Sequence, residues 1–370
     1  MLSHETVLAV ASHFDLGGTP VSLKELTAGN INVTYRLDMG EDAPIPRYVL
    51  QRNNTAAFND PDSLMENVGL VTAHIRRSYE AEGIDPTRRV LTIVPADNGT
   101  LLYTDDEGGA WRCYVYVDGA TAYNSIDSTA LFREAGAGFG EFQTRLADFP
   151  ADKLTETIPG FHNTARRFET FMASVDKDAA GRVASISEDI AFFSARKELA
   201  HAIVSKLGDP ELLPLRVTHN DTKLNNVLMD DESGKALCVI DLDTVMPGSS
   251  LYDYGDAVRY GACTAAEDEP DTSKIGFDME LFKAFTEGFV SATAGNLTDT
   301  EIKLLPLGIA VITFELAMRF LTDYLDGDVY FKTMYEGHNL VRARAQMKLL
   351  TEVEAKLPEM YAYVEGLLDK

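Results

Sequence analysis

The stretch Val217-Thr-His219-Asn-Asp221-Thr-Lys223-Leu-Asn-Asn226 places three chemically capable residue types at a fixed spacing: His-x-Asp, then Asn five residues after the Asp. That spacing suits a loop that moves a phosphoryl group. A hydroxyl attacking a γ-phosphoryl group needs a carboxylate to orient it and take its proton, a role open to Asp221. An amide oxygen can bind a metal beside the phosphates without adding negative charge, a role open to Asn226. His219 belongs to the same catalytic set, bracing the loop rather than reacting. Lys223 puts a cation where it can stabilise charge on the group in transfer, although a solvated loop lysine is the plainer alternative. Further on, Cys238-Val-Ile-Asp241-Leu-Asp243 ends an apolar strand on Asp241, where a carboxylate can bind magnesium that bridges ATP phosphates. Asp243 can share the metal directly or through water. An Asp at a strand end is also a common turn former. Both motifs in this order, joined by a hairpin-length connection, favour phosphoryl transfer.

Two kinds of segment must position these residues. Up to about residue 118 the elements are short and several are strand-like. Segments 21–27 and 33–38 flank the turn Ala28-Gly29-Asn30 and read as a hairpin. Runs at 48–51, 91–95, 101–104 and 111–117 read as further strands. Asp62-Ser63 is placed to cap a helix through about Tyr79, in which Leu64, Val68, Val71 and Ile75 recur at helical spacing. After Asp118-Gly119 the sequence turns helical, with long periodic segments at 129–147, 165–175, 187–207, 279–294, 298–324 and 340–368. The exception is a β-rich island at 215–243. The fold class is therefore α+β and bilobal. A small antiparallel sheet forms an N-terminal nucleotide-binding lobe at 1–118, and a larger helical catalytic and substrate-binding lobe spans 119–370.

The 370-residue chain has the apolar and charged fractions of an ordinary globular protein, 45% and 25%. With 58 acidic against 33 basic residues its formal charge is -25, which argues against nucleic-acid and anionic-membrane partners. No stretch approaches the roughly 18–20 uninterrupted apolar residues of a membrane helix, and the N-terminus has no signal-like pattern. Cys113, Cys238 and Cys263 form a sparse, odd set that fits a reducing compartment, so a cytoplasmic location is expected. Nothing in the sequence specifies an oligomeric state.

The phrases HNDTKLNNVL and VIDLDTVMPGSSLYDYGD resemble the catalytic core of the aminoglycoside phosphotransferase and choline kinase superfamily, which has a protein-kinase-like fold. Longer phrases, among them GNINVTY, YVLQRNN, GGAWRCYVYV, FREAGAGFGEFQ and MRFLTDYLDGDVYF, are most similar to the bacterial N-acetylhexosamine 1-kinases. The resemblance implies transfer of the ATP γ-phosphate to the anomeric hydroxyl of N-acetylglucosamine or N-acetylgalactosamine, with Mg2+. It makes Asp221 the base and Asn226 and Asp241 the magnesium ligands, with Asp243 a lesser candidate. It places Arg319 and Tyr330 where they reach the sugar. It also sets the loop carrying Gly29, Asn30 and Asn32 over the nucleotide, with Asn30 or Asn32 available to the substrate, and a hinge around Tyr116 and Val117 against adenine. Read from its own surroundings, Arg319 lies in an apolar helical stretch where an unpaired charge is costly, so it points into a cleft or pairs with Glu315 or Asp323. Tyr330 reads equally well as a core tyrosine.

One departure from the kinase pattern stands out. The third strand of that fold normally carries a Lys paired with a Glu on the following helix. Here Gln51 occupies that place, with Arg52 beside it and Glu66 at a suitable distance on the helix. Gln51 can hydrogen-bond a phosphate only as a neutral donor, unless Arg52 turns inward. Asp253 in Leu251-Tyr-Asp-Tyr reads as a structural residue that orients the catalytic loop. Two alternatives to a sugar 1-kinase remain: a kinase of the same fold acting on an aminoglycoside, choline or another small alcohol, and a non-catalytic nucleotide- or sugar-binding protein.

Overall fold

The computed structural model describes residues 2–26, 32–55, 58–293 and 295–368. The predicted turn Ala28-Gly29-Asn30, with its candidate residues Gly29 and Asn30, lies outside the described residues. The chain forms two compact units, one comprising Met1–Thr121, Lys153–Ile158 and Leu228–Met246, the other Ala122–Asp152, Pro159–Val227 and Pro247–Lys370.

The first unit opens with α1 (His4–Ala11), capped by the Ser3 hydroxyl, which accepts the Thr6 N–H at 3.1 Å. Strands β1 (Pro20–Leu26), β2 (Val33–Met39), β3 (Arg47–Arg52), β4 (Ile93–Val94), β5 (Tyr103–Thr104) and β6 (Ala110–Val115) form one antiparallel sheet. Its order is β1-β2-β3-β6-β4, with β5 also on β6. β2 alternates as a half-buried strand should, with Tyr35, Leu37 and Met39 inward. β6 is buried on both faces, and Arg112 is buried with it. Leu37, Tyr48, Leu50, Trp111 and Cys113 join Val7, Val10 and Phe14 of α1 and its exit in one core. Each fully buried large apolar side chain there contributes about 1.5–3 kcal/mol.

Helix α2 (Pro61–Ala81) follows β3. Its cap is Asp60, which accepts the Ser63 N–H at 3.1 Å, and not the expected Asp62-Ser63. Pro61 at the first turn explains the shift, because its fixed φ and missing N–H suit a helix start. Asn67, buried on α2, exchanges two hydrogen bonds with the Thr155 backbone (2.8 and 2.9 Å) and donates to the Val245 carbonyl at 3.1 Å. One side chain thereby ties both excursions of the chain into this unit.

The second unit is mainly helical: α3 (Thr129–Arg145), α4 (Thr164–Lys177), α5 (Ser187–Ser194), α6 (Ser250–Gly261), α7 (Met279–Ala292), α8 (Asp299–Lys303), α9 (Leu305–Asp326) and α10 (His338–Leu368). Short strands complete the island read from the sequence. β7 (Ala120–Ala122), β9 (Val227–Asp230) and β10 (Ala236–Val239) form one sheet that falls almost wholly in the first unit, and β8 (Arg216–Thr218) pairs with β11 (Met246–Gly248). Two predicted helices are interrupted. The 187–207 segment is helical only to Ser194 and continues in a 3-10 turn, Lys197–His201. The 298–324 segment breaks at Leu304, where Pro306 starts α9 afresh. By length and composition alone α9 could cross a membrane, but 78% of its apolar window is buried in the fold, so it is a core helix. The fold class is α+β, with an antiparallel sheet in one unit and helices in the other.

Candidate active site

The predicted catalytic loop leaves β8 and is held by one carboxylate from α6. Asp253, buried, accepts the backbone N–H groups of His219 (2.8 Å) and Asn220 (2.7 Å) and the Gln143 amide (2.9 Å). Its own carbonyl accepts the Thr222 hydroxyl at 2.5 Å. Burial raises the Asp253 pKa above its ordinary value, against the opposing pull of His219 and the two backbone donors. Asn220 sits at φ 64, the left-handed region that Asn tolerates, and turns the loop. His219 is fully buried, its ring edge-on to Phe139 (5.8 Å) and Phe142 (6.0 Å). Its Nδ1 accepts the Asp221 N–H at 3.2 Å. His219 thus braces the backbone of Asp221.

Asp221 is fixed on two sides. Lys223 Nζ lies 2.7 Å from its Oδ1. Asn226 donates to its carbonyl at 2.8 Å, with Oδ2 3.3 Å from the same amide nitrogen. Burial works against the charge on Lys223, but Asp221 outweighs it and holds the ammonium above its ordinary pKa. Because the Asn226 amide is committed as a donor, its oxygen is left as a neutral acceptor, the donor type magnesium takes.

The remaining candidates fall into two groups. In the first unit Asp241 is exposed at φ 59 and heads the turn Leu242–Thr244, while Asp243 is buried. Asp243 pairs with Arg112 of β6 and accepts from the Asn32 amide at 2.7 Å. Gln51 donates to the Thr34 hydroxyl at 2.9 Å and accepts from Arg112 Nε at 3.0 Å. Glu66 is exposed on α2, and the α2 side chain that meets Arg112 is Met65, whose sulfur lies 3.7 Å away. Arg52 does not turn inward. It lies over Trp111 at 5.9 Å and 3.8 Å from both Asp105 and Glu107. At the predicted hinge residues the Tyr116 N–H is donated to the Arg47 carbonyl at 3.1 Å, and Val117 is buried. Arg88 holds the next residues by donating to the Asp118 and Gly119 carbonyls (3.0 and 2.8 Å) and to Asp230 (2.8 Å).

In the second unit Arg319 makes neither of the ion pairs its sequence neighbourhood suggested. It is ringed by Phe161 (5.7 Å), Tyr330 (5.9 Å) and Phe331 (5.5 Å). Asp323 is engaged elsewhere: it accepts the backbone N–H groups of Val329, Tyr330 and Phe331 at 2.7–2.9 Å and so winds that loop around itself. Glu315 is taken by His162 (2.9 Å), Thr164 (2.7 Å) and Arg167 (3.4 Å). Burial favours its neutral form, but His162, Arg167 and Arg319 outweigh that and bring its pKa down to about 2. Arg167, desolvated and repelled by Arg319, is lowered. Tyr330 is 71% exposed and is not a core residue. His162 Nε2 and the Tyr252 hydroxyl are buried without hydrogen-bond partners among the described residues. Sequence reasoning passed over Arg112, His162, Arg167 and Tyr252. A buried arginine in an apolar strand was the one available signal.

The family model of the phosphotransferase enzyme family matches residues 22–277, more than half of the chain. The chain belongs to that family. Its fold is similar to that of a microcompartment-associated aminopropanol kinase, at 18% identity and a TM-score of 0.62, covering 97% of this chain and 98% of that one. It is also similar to spectinomycin phosphotransferase solved with ADP and spectinomycin (13%, TM-score 0.57, 95% and 99% covered). A third is choline kinase from Cryptosporidium parvum Iowa II (13%, TM-score 0.56, both chains fully covered). At these identities the likeness is one of fold.

Proposed function

We propose that this phosphotransferase is an ATP- and magnesium-dependent kinase of the anomeric hydroxyl of an N-acetylhexosamine. The observation that carries phosphoryl transfer is the Asp221 carboxylate, held between Lys223 and Asn226 on a loop anchored by Asp253. Asp221 takes the proton of the attacking hydroxyl, and its fixed orientation removes the rotational search that an exposed carboxylate would face. Lys223 supplies a cation beside the transferring group. Among the described residues no three His, Cys, Asp or Glu side chains are grouped to hold a metal by themselves. The protein oxygens offered to magnesium are the Asn226 amide oxygen and the Asp241 carboxylate, each a donor type that the ion takes. Bound magnesium would neutralise charge on the ATP phosphates.

The acceptor reading rests on Arg167, Arg319 and the exposed Tyr330. Two guanidinium groups with one shared, already paired carboxylate repel an ammonium or quaternary amine. They suit the hydroxyl and acetamido oxygens of a neutral sugar, and the exposed Tyr330 ring suits its apolar face. This favours a sugar over the amines that choline and aminopropanol kinases are named for. The test is ADP release with Mg-ATP and a panel of N-acetylhexosamines, aminoglycosides and choline. Turnover is expected with N-acetylglucosamine or N-acetylgalactosamine. Turnover with an amine alone would overturn the sugar assignment, and silence across the panel would favour a binding protein.

A further inference from the structure

Thr34, Gln51 and Arg112 lie in one cross-strand row, since Thr34 faces Gln51 between β2 and β3 and Gln51 faces Arg112 between β3 and β6. The position of the usual strand lysine is therefore neutral, and the cation stands one strand over. Arg112 is 1% exposed and Asp243 5%. A buried guanidinium is tolerable only when paired, and here Asp243 pairs with Nη1 while Gln51 takes Nε. Burial opposes the charge on Arg112, but Asp243 and neighbouring groups outweigh it. The second oxygen of Asp243 accepts from Asn32, whose Oδ1 accepts the Asn54 N–H at 3.0 Å. One carboxylate oxygen of Asp243 thus meets Arg112 as an ion pair without an aligned hydrogen bond, and the other accepts from Asn32, two residues after the exposed Asp241.

On the kinase reading above, we infer that Arg112 and Asp243 form a positioning pair in place of the strand lysine and helix glutamate. Asp243 is the counter-ion that holds the Asp241 turn against the sheet, and Asp241 alone is the carboxylate that meets magnesium. Arg112, sealed and held through Nε and Nη1, does not reach phosphate.

A double-mutant cycle tests this with Arg112→Met, Asp243→Asn and the double variant, read as magnesium-dependent ADP binding by calorimetry and as urea unfolding without nucleotide. Each single variant should raise the magnesium concentration for half-saturation to a similar degree. The double variant should be no worse than the weaker single, a coupling of about tenfold or more. If Asp243→Asn raises the magnesium requirement while Arg112→Met leaves it unchanged, or if the two effects multiply, Asp243 is a ligand and the inference fails. Arg112→Lys, which keeps the charge but loses the fork, takes the place of Arg112→Met if that variant does not fold, and is expected to behave as the single variant does. The unfolding arm reads the pair directly. Absence of ADP release by the wild-type protein would count only against the kinase reading.

Discussion

Glu315 shows how far single side chains here are set by their surroundings. Its folded pKa of about 2 lies below the ordinary value of 4.5, so its ionised form contributes stability above pH 4.5 that is lost as pH falls through that interval. Wild type should therefore lose more stability than Glu315→Gln between about pH 4.5 and 2, which urea midpoints measured across that range will show. A constant difference between the two proteins would contradict it. The residues legible in the sequence were those whose partners are local: Asp221, Lys223 and Asn226 lie within one short loop, and their bonds are to each other. Asp253 was legible as a loop anchor from its motif. Arg112 was not, because its partner Asp243 arrives from a distant hairpin and nothing in Trp111-Arg112-Cys113 names it. Gln51 was read as a phosphate donor, but the sheet register gives it Thr34 and Arg112 instead.

At the scale of elements, the loop is only as well placed as α6, which crosses α9 at two glycines. A Cβ on Gly255 would lie 2.4 Å from the Gly308 carbonyl oxygen, and one on Gly308 2.3 Å from that of Leu251. Gly255→Ala must push the helices apart and tilt Asp253 away from His219. Overpacking of this kind costs about 1–3 kcal/mol. Scanning calorimetry should show a Tm lower by roughly 2–4 °C for each kcal/mol, together with reduced kcat. Gly366→Ala on α10, where a Cβ meets nothing within 4 Å, should leave Tm unchanged or raise it. Equal melting of Gly255→Ala and wild type would show that this crossing has room. Most strands and helices followed from periodicity and turn residues, whereas the strand order did not. The break after Ser194 did not, since Ala195-Arg-Lys-Glu contains no Gly or Pro to announce it. The short helix α6 was hidden beneath a motif read for its side chains.

Over the whole molecule, the bulk charge of -25 and the site charges run opposite ways. The chain is acidic, while the side chains assigned to the acceptor are two arginines and the exposed Tyr330 ring. Net charge therefore says little about the substrate, and the local guanidinium groups say more. Family membership fixes the reaction class and the fold, and the acceptor is the part that rests on these residues. Phosphoryl transfer by this chain requires Asp221 as the base. Steady-state ADP release by Asp221→Asn, with the acceptor that wild type uses, tests it most directly. The variant should show kcat lower by at least about 10²-fold with Tm close to wild type. A variant that turns over near the wild-type rate would remove Asp221 from that role.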